Sequence, residues 1–439
     1  MQQFIIEGGH ALNGSVTVSG NKNAALKMLA ACLLTDEPII LTNMPNIGDV
    51  RTLIEIMRGL GVEIAWVDEN RLKVHAREVT QTEIDARLAD KLRASIVLAG
   101  PLLARCGRVL LPSPGGDAIG ERRLDMHVFA LRKLGAIIEF NGAFNMHTEG
   151  LQGADILLPE ASVTATENAT MAAVTAEGTT ILRHAASEPH VQDLCNMLVA
   201  MGAQIDGIGS NRLTIQGVEK LHGCEARVGA DYMEVGSFIG AAVMTGGEIT
   251  IRDADPQYLD MIALVFERLG VHWETRGNDV FVPAHQTLTI VPDLGNRIPI
   301  IRAQPWPAFP PDLMSIALTV ATQSAGEVLF HDWMYESRFF FTDRLVSMGA
   351  RITLCDPHRV LVQGPTALKG VANITSPDIR AGMAILLAAL AAKGETRIAN
   401  IQQIDRGYQR IEEKLTALGA NIVRVNAGEL PHAEVTGMI

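Results

Sequence analysis

Cysteine is sparse and scattered. Cys32, Cys106, Cys195, Cys224 and Cys355 are odd in number and show no CxxC spacing. That excludes a disulfide framework and suits reduced core thiols in a cytosolic protein. Among the 12 histidines there is no HExxH or HxxxH pair, so no metal site is expected. Positive charge is in deficit, with 37 Lys and Arg against 49 Asp and Glu and a net charge of −12. Such a surface repels phosphate backbones, so no nucleic-acid partner is expected without a local basic patch. Long apolar runs are missing too. The longest, Ala381 to Ala392, has 12 residues and ends at Lys393. It suits a buried helix, and no membrane association is expected. The opening MQQFIIEGGHALNG has no basic stretch of the kind that begins a signal peptide, which again points to the cytoplasm.

What is present reads as globular. Hydrophobic residues make up 48% and charged residues 20%, which excludes disorder. At roughly 150 residues per domain, 439 residues suggest two or three domains.

A repeat organises the chain. Six times an amphipathic helix runs into Leu/Met-Gly-Ala/Val and a short apolar strand, at Gly61, Gly135, Gly202, Gly270, Gly349 and Gly419. The spacings are 74, 67, 68, 79 and 70 residues. Each glycine stands where a helix end needs a left-handed residue. Val50, Leu53, Ile54, Met57 and Leu60 share one helical face in the first copy, as do Tyr408, Ile411, Leu415 and Leu418 in the sixth. Upstream lies a strand opened by a turn, as in GGEITIRDA, and before it a helix rich in Ala and Leu. The unit is therefore helix, strand, helix, strand, strand. Six such units, three per domain, predict an α/β protein of two domains with a cleft between them.

The Ala-rich helices open with polar clusters, among them Asn21-Lys22-Asn23, Lys91-Leu92-Arg93, Pro310-Pro311-Asp312 and Pro377-Asp378-Ile379-Arg380. Asp, Asn and Thr there are ordinary caps. Lys22 and Arg93 are not, because a cation at a helix start opposes the dipole; they suit an anionic ligand. The second unit is also longer than the rest. Its turn-to-glycine distance, Gly107 to Gly135, is 28 residues against 23 to 25 in the other five. The extra residues fall in PSPGGDAIGERRLD, residues 112–125, where Gly-Gly-Asp allows either a plain surface turn or a lid.

The ordered motifs SGNKNAAL, LRASIVLAGPLLAR, PGGDAIGERRLDMH, ATENATMAAVTAEGTT, EPHVQDLCNMLVAMGA, FPPDL, YESRF, SPDIRA and IDRGYQRIEEKLTALGANI resemble the UDP-N-acetylglucosamine 1-carboxyvinyltransferases, enolpyruvyl transferases that open peptidoglycan synthesis. The resemblance runs from Phe4 to about Val425. It implies the two-domain inverse α/β barrel. The expected boundaries are 22–229 for one domain and 1–21 plus 230–439 for the other. The implied reaction transfers enolpyruvate from phosphoenolpyruvate to the 3-hydroxyl of UDP-N-acetylglucosamine by addition and elimination, releasing phosphate. It needs a base for the hydroxyl, an acid for the methylene carbon, cations for a carboxylate and phosphates, and exclusion of water. Side chains supply all these charges, so no metal or organic cofactor is implied.

By this resemblance Lys22 and Asn23 bind phosphoenolpyruvate, and Arg93, Arg122 and Arg406 complete a cationic set suited to carboxylate and phosphate. Asp312 meets the sugar hydroxyl and is the base candidate, with no cation adjacent to it in sequence. Asp378 and Arg380 match the motif that holds the reaction intermediate. Arg122, Arg123, Leu124, Asp125 and Met126, then Glu160, Ala161, Ser162 and Val163, and finally Met334 match stretches that hold the uridine nucleotide. Glu336 matches a family glutamate. Asp117 stands where most members carry cysteine, in the role of general acid. A carboxylic acid can serve there if its pKa is raised toward neutrality. The epoxide antibiotic fosfomycin alkylates the cysteine thiolate, so a loop without a thiol implies insensitivity.

The chain departs from the common pattern at Arg123, Thr164, Tyr232, Pro377, Ile379 and Phe341, where the family carries proline, glycine, arginine, threonine, leucine and histidine. Core drift explains such changes. A shifted acceptor explains them too, which leaves open a transferase for another nucleotide, or an inactive protein that binds UDP-sugar. A shikimate-type acceptor is disfavoured by Asn-Lys-Asn at 21–23 in place of Ser-Lys-Ser, and an RNA-end-processing enzyme by the net charge of −12. Nothing in the sequence specifies an oligomeric state.

Overall fold

The structure is a computed structural model that describes residues 2–116 and 123–426. Among these the strands form six sheets, five of four strands and one of three. In each unit the helix after the first strand packs its apolar face inward: Val50, Leu53, Ile54, Met57 and Leu60 are all buried. All six helix-end glycines have positive φ, from 82° to 105°. The repeat is therefore built as the sequence pattern specifies.

The repeat also contains a strand that the pattern did not reveal. Asp155–Leu157 runs parallel to Thr179–Arg183, Ile300–Arg302 to Gly326–His331, and Ile374–Thr375 to Glu395–Ala399. These are parallel strands joined through the Ala-rich helix, the βαβ arrangement. At two or three residues they are too short to show alternation in sequence.

Two of the three remaining copies exchange this strand, while in the second only the isolated parallel bridge between Glu83 and Leu110 stands in its place. Asn13–Thr17 precedes the helix Lys22–Ala31, yet it pairs with Glu248–Arg252. Glu225–Arg227 precedes the helix Tyr232–Thr245, yet it pairs with Ile39–Thr42. The chain therefore crosses twice between two buried cores. One core draws on residues 24–228, the other on 4–18 and 230–422. The crossings lie side by side. Asn21 N donates to Gly229 O at 2.7 Å, and Asp231 N to Ser19 O at 2.9 Å. Glu234 braces them, accepting from Ser19 N at 2.8 Å and pairing with Lys414 Nζ at 2.5 Å.

Within each core the Ala-rich helices are central and the sheets surround them. Tyr232–Thr245, Met314–Ala321 and Ile379–Ala391 all touch one another. A helix apolar on every side must be enclosed, and Ile379–Ala391 is buried through Leu390. Gly240 permits the close packing: a methyl there would meet Leu387 at 3.1 Å and Ile316 at 3.2 Å. This is the two-domain α/β fold expected, helices inside and sheets outside.

The cysteines are less uniformly buried than expected. Cys32 and Cys195 are core thiols, Cys106 and Cys224 are half-buried, and Cys355 is exposed. The register of its strand shifts between Leu354 and Asp356, which leaves Cys355 out of the pairing.

Candidate active site

The helix Lys22–Ala31 begins at the first crossing. Asn21 caps it, its side chain accepting from Ala24 N at 3.0 Å. Lys22 therefore projects from the first turn. Its Nζ lies 2.7 Å from Asp49 Oδ2. Asp49 opens the helix Gly48–Gly59, and its other oxygen lies 2.8 Å from Arg406 Nε. Arg406 comes from the far end of the chain, after the short helix Gln402–Asp405, and also donates to Gln403 Oε1 at 2.9 Å. Burial opposes the charge on Asp49, yet Lys22 and Arg406 hold its carboxyl below the usual carboxylate range.

A second cluster centres on Asp312, in the turn Pro311–Leu313 ahead of Met314–Ala321. Arg338 Nη2 lies 3.0 Å from one carboxylate oxygen, and Arg380 Nε 3.3 Å from the other. Both arginines are almost fully enclosed, while the Asp312 side chain is 32% exposed, so a ligand can reach it. Burial raises the cost of its charge, but Arg380, Arg338 and Lys22 outweigh this and hold the carboxyl well below its ordinary range. Arg380 is positioned in turn by Tyr408, whose hydroxyl it reaches at 3.2 Å, and Tyr408 by Ser237 at 3.0 Å. Asp378 serves as helix cap, accepting from Arg380 N at 2.9 Å and Ala381 N at 3.0 Å. The two clusters meet at Lys22, whose charge acts on Asp312 and whose backbone N donates to Asp231 Oδ2 at 3.3 Å.

Arg93 reaches the enlarged loop. Its guanidinium donates to Pro114 O at 3.4 Å and Arg123 O at 3.3 Å, spanning the two feet of the enlarged loop. Gly116 presses against it: φ is +111°, and an added methyl would meet Arg93 Cβ at 2.9 Å. Asp117 and Arg122 lie outside the described residues.

The stretches expected to hold the nucleotide lie at two helix starts. Arg123 and Leu124 lead into Asp125–Lys133, with Asp125 and Met126 in its first turn. Glu160, Ala161 and Ser162 lead into Val163–Ala173. A buried relay ties the two helices together. His127 Nε2 meets Thr164 Oγ1 at 3.0 Å, and Asn168 Nδ2 meets His127 Nδ1 at 3.1 Å. Burial, then Arg93 and Lys27, push the His127 pKa down to about 3, so the ring is neutral. Thr164 thus has a partner that the family's glycine would lack.

In the stretch from Met334, the Asp332 carboxylate accepts from Met334 N at 2.9 Å and Tyr335 N at 3.2 Å. Glu336 is exposed, and Arg338, two residues on, is the residue of this motif that reaches Asp312. Asn23 is half-buried beside Lys22. Sequence patterns missed Asp49, Arg338 and Tyr408. The YESRF and IDRGY motifs contain the last two, but Asp49 sits in an ordinary amphipathic helix and gave no signal.

Comparison with known proteins decides the family. A family profile described as EPSP synthase (3-phosphoshikimate 1-carboxyvinyltransferase) matches residues 6–415. A curated relative from Bradyrhizobium diazoefficiens, named UDP-N-acetylglucosamine 1-carboxyvinyltransferase, is 53% identical over 96% of this chain and 98% of its own. One of the same name from Treponema denticola is 52% identical over 96% and 99%. The chain belongs to this carboxyvinyltransferase family. Solved structures agree on the fold. The enolpyruvyl transferase NikO from Streptomyces tendae superposes with a TM-score of 0.85 at 24% identity, over 97% of this chain and 99% of that one. An EPSP synthase from Acinetobacter baumannii gives 0.74 at 19%, over 97% and 100%.

Against the carboxyvinyltransferase pattern, two further departures are absorbed by packing. Tyr232 is buried between His190, with rings 6.4 Å apart and stacked, and Trp306, with rings 5.8 Å apart and tilted. Phe341 lies in the core of the second domain. Among the described residues no group of His, Cys, Asp and Glu could hold a metal ion, and no helix is long and apolar enough to cross a membrane.

Proposed function

We infer that this chain transfers enolpyruvate from phosphoenolpyruvate to the 3-hydroxyl of UDP-N-acetylglucosamine, with release of phosphate, as a first step of peptidoglycan synthesis in the cytoplasm. One observation carries the reading: relatives named UDP-N-acetylglucosamine 1-carboxyvinyltransferase match half of the residues over nearly the whole chain. The cationic site beside a partly open carboxylate suits it.

The roles follow from the chemistry. Lys22, Asn23 and Arg406 hold phosphoenolpyruvate, with Arg93 and Arg122 completing the anion site. Asp312 orients the acceptor hydroxyl and takes its proton as the new C–O bond forms. A carboxylate paired with two arginines is a weak base, so the proton moves late, when the oxygen has become acidic by bonding to carbon. Arg338 and Arg380 position Asp312. Asp117 protonates the methylene carbon, and the absence of a thiol there makes the enzyme insensitive to fosfomycin. Asp378 and Arg380 meet the tetrahedral intermediate. Arg122 to Met126, Glu160 to Val163 and Met334 hold the nucleotide, and Glu336 belongs to the substrate site. Residues 22–229 form one domain, and 1–21 with 230–439 the other.

Acceptor choice tests this. Phosphate release from phosphoenolpyruvate is expected with UDP-N-acetylglucosamine and absent with shikimate 3-phosphate. Release with another nucleotide sugar alone would reassign the acceptor. Binding of UDP-N-acetylglucosamine without turnover would make the chain an inactive sugar-nucleotide binder.

A further inference from the structure

The proposed donor site holds an acidic residue that no sequence motif assigned. Asp49 is buried between the two cations. Lys22 Nζ lies 2.7 Å from Oδ2, Arg406 Nε 2.8 Å from Oδ1, and Arg406 Nη2 3.5 Å from Oδ2. Only 5% of its side chain is exposed. The backbone fixes this geometry. A methyl on neighbouring Gly48 would stand 3.3 Å from Arg406 Cα, so the helix start packs directly on the Arg406 main chain. Asp49 and Lys22 belong to the stretch that builds the first core, while Arg406 sits among residues of the second. One carboxylate thus spans both domains at the point where the donor's anionic groups must sit.

Electrostatics gives this arrangement a consequence. Lys22 and Arg406 together carry two positive charges, and Asp49 cancels one. With this one carboxylate removed, the half-buried Lys22 and Arg406 would attract any anion more strongly, the inorganic phosphate product included. It would also lose the fixed separation that aligns the donor.

We propose that Asp49 is a positioning residue of the donor site: it holds Lys22 and Arg406 in register across the two domains and lowers the pocket's charge so that phosphate can leave. This rests on the reading that Lys22 and Arg406 bind phosphoenolpyruvate.

The test is inhibition by inorganic phosphate against phosphoenolpyruvate, at saturating UDP-N-acetylglucosamine, for the native enzyme, Asp49→Asn and Asp49→Glu. In Asp49→Asn, phosphate is expected to inhibit about tenfold more tightly and kcat to fall by about tenfold or more, with no rise in KM for phosphoenolpyruvate. Asp49→Glu keeps the charge and shifts the oxygens. It is expected to keep native phosphate inhibition within about threefold while kcat stays low. Weaker phosphate inhibition and a raised KM in Asp49→Asn would overturn the proposal, because a merely structural residue predicts both. Should Asp49→Asn fail to fold by far-UV circular dichroism, Asp49→Glu decides: altered phosphate inhibition overturns the proposal. A native enzyme that turns over but shows no competition between phosphate and phosphoenolpyruvate would remove the underlying reading of Lys22 and Arg406, and the proposal with it.

Discussion

Asp312 and Arg338 show how much a site depends on pairs that sequence cannot display. Asp312 was legible from its motif, but the two arginines that govern its charge lie 26 and 68 residues away. Asp49 and Arg406 are 357 residues apart. Such pairs exist only once the repeats have closed, so spacing rules do not reach them. The pairing has a measurable consequence. Arg338 helps to keep Asp312 ionised. In Arg338→Ala the carboxyl pKa should rise toward the ordinary carboxylate value, and activity should be lost as pH falls through it. The kcat/KM profile of the variant should therefore gain an acid limb that the native enzyme lacks at the same pH. An unchanged profile would show that Arg338 does not act on Asp312. A second residue-scale prediction concerns Glu167. It is fully buried 3.3 Å from Lys27, and burial pushes its pKa up from 4.5 to about 8, with Lys27 opposing. Between those values the folded state binds a proton that the unfolded state has released. This contribution to stability is therefore fully present below pH 4.5 and is lost as pH rises toward 8. Glu167→Gln should flatten the fall in Tm over that interval, measured by thermal melts at several pH values. A parallel curve for variant and native protein would contradict the assignment.

At the scale of elements, the repeat was legible because two local signals coincide in every copy, an apolar helical face and a glycine at its end. The glycine requirement can be tested at two positions on either side of Leu60. Gly61 has φ +98°, and a methyl there would meet Thr80 Oγ1 at 2.5 Å. Gly61→Ala should cost about 1 kcal/mol or more, read by denaturant unfolding. Gly59, at the end of the same helix, has open space around it. Gly59→Ala should be neutral or stabilise by up to about 1 kcal/mol. Equal effects at the two sites would mean that backbone conformation is not what selects glycine at 61. The short parallel strands were not legible, because two or three residues paired to a distant edge leave no periodicity. Their exchange between the first and fourth copies was hidden for the same reason: it is a choice of partner, not of local conformation. The stretches proposed to hold the nucleotide fall on helix starts joined by Thr164, His127 and Asn168. Thr164 looked like a defect in the sequence pattern and proves to be part of that relay.

For the whole molecule, the proposed chemistry draws on charged residues from both cores. Both contribute charges: Lys22 and Asp49 come from one, Arg406, Asp312, Arg338 and Arg380 from the other. The paired crossings at Ser19–Asn21 and Gly229–Asp231 keep those two sets adjacent. Composition and charge argued against a nucleic-acid partner and a membrane span, but which residues meet was decided by the double crossing. The most direct test of the account is the rate of phosphate release from phosphoenolpyruvate with UDP-N-acetylglucosamine as sole acceptor, compared between the native enzyme and Asp312→Ala. Steady release by the native enzyme and a loss of about a hundredfold or more in kcat for the variant are expected. Native-like release by Asp312→Ala would contradict it.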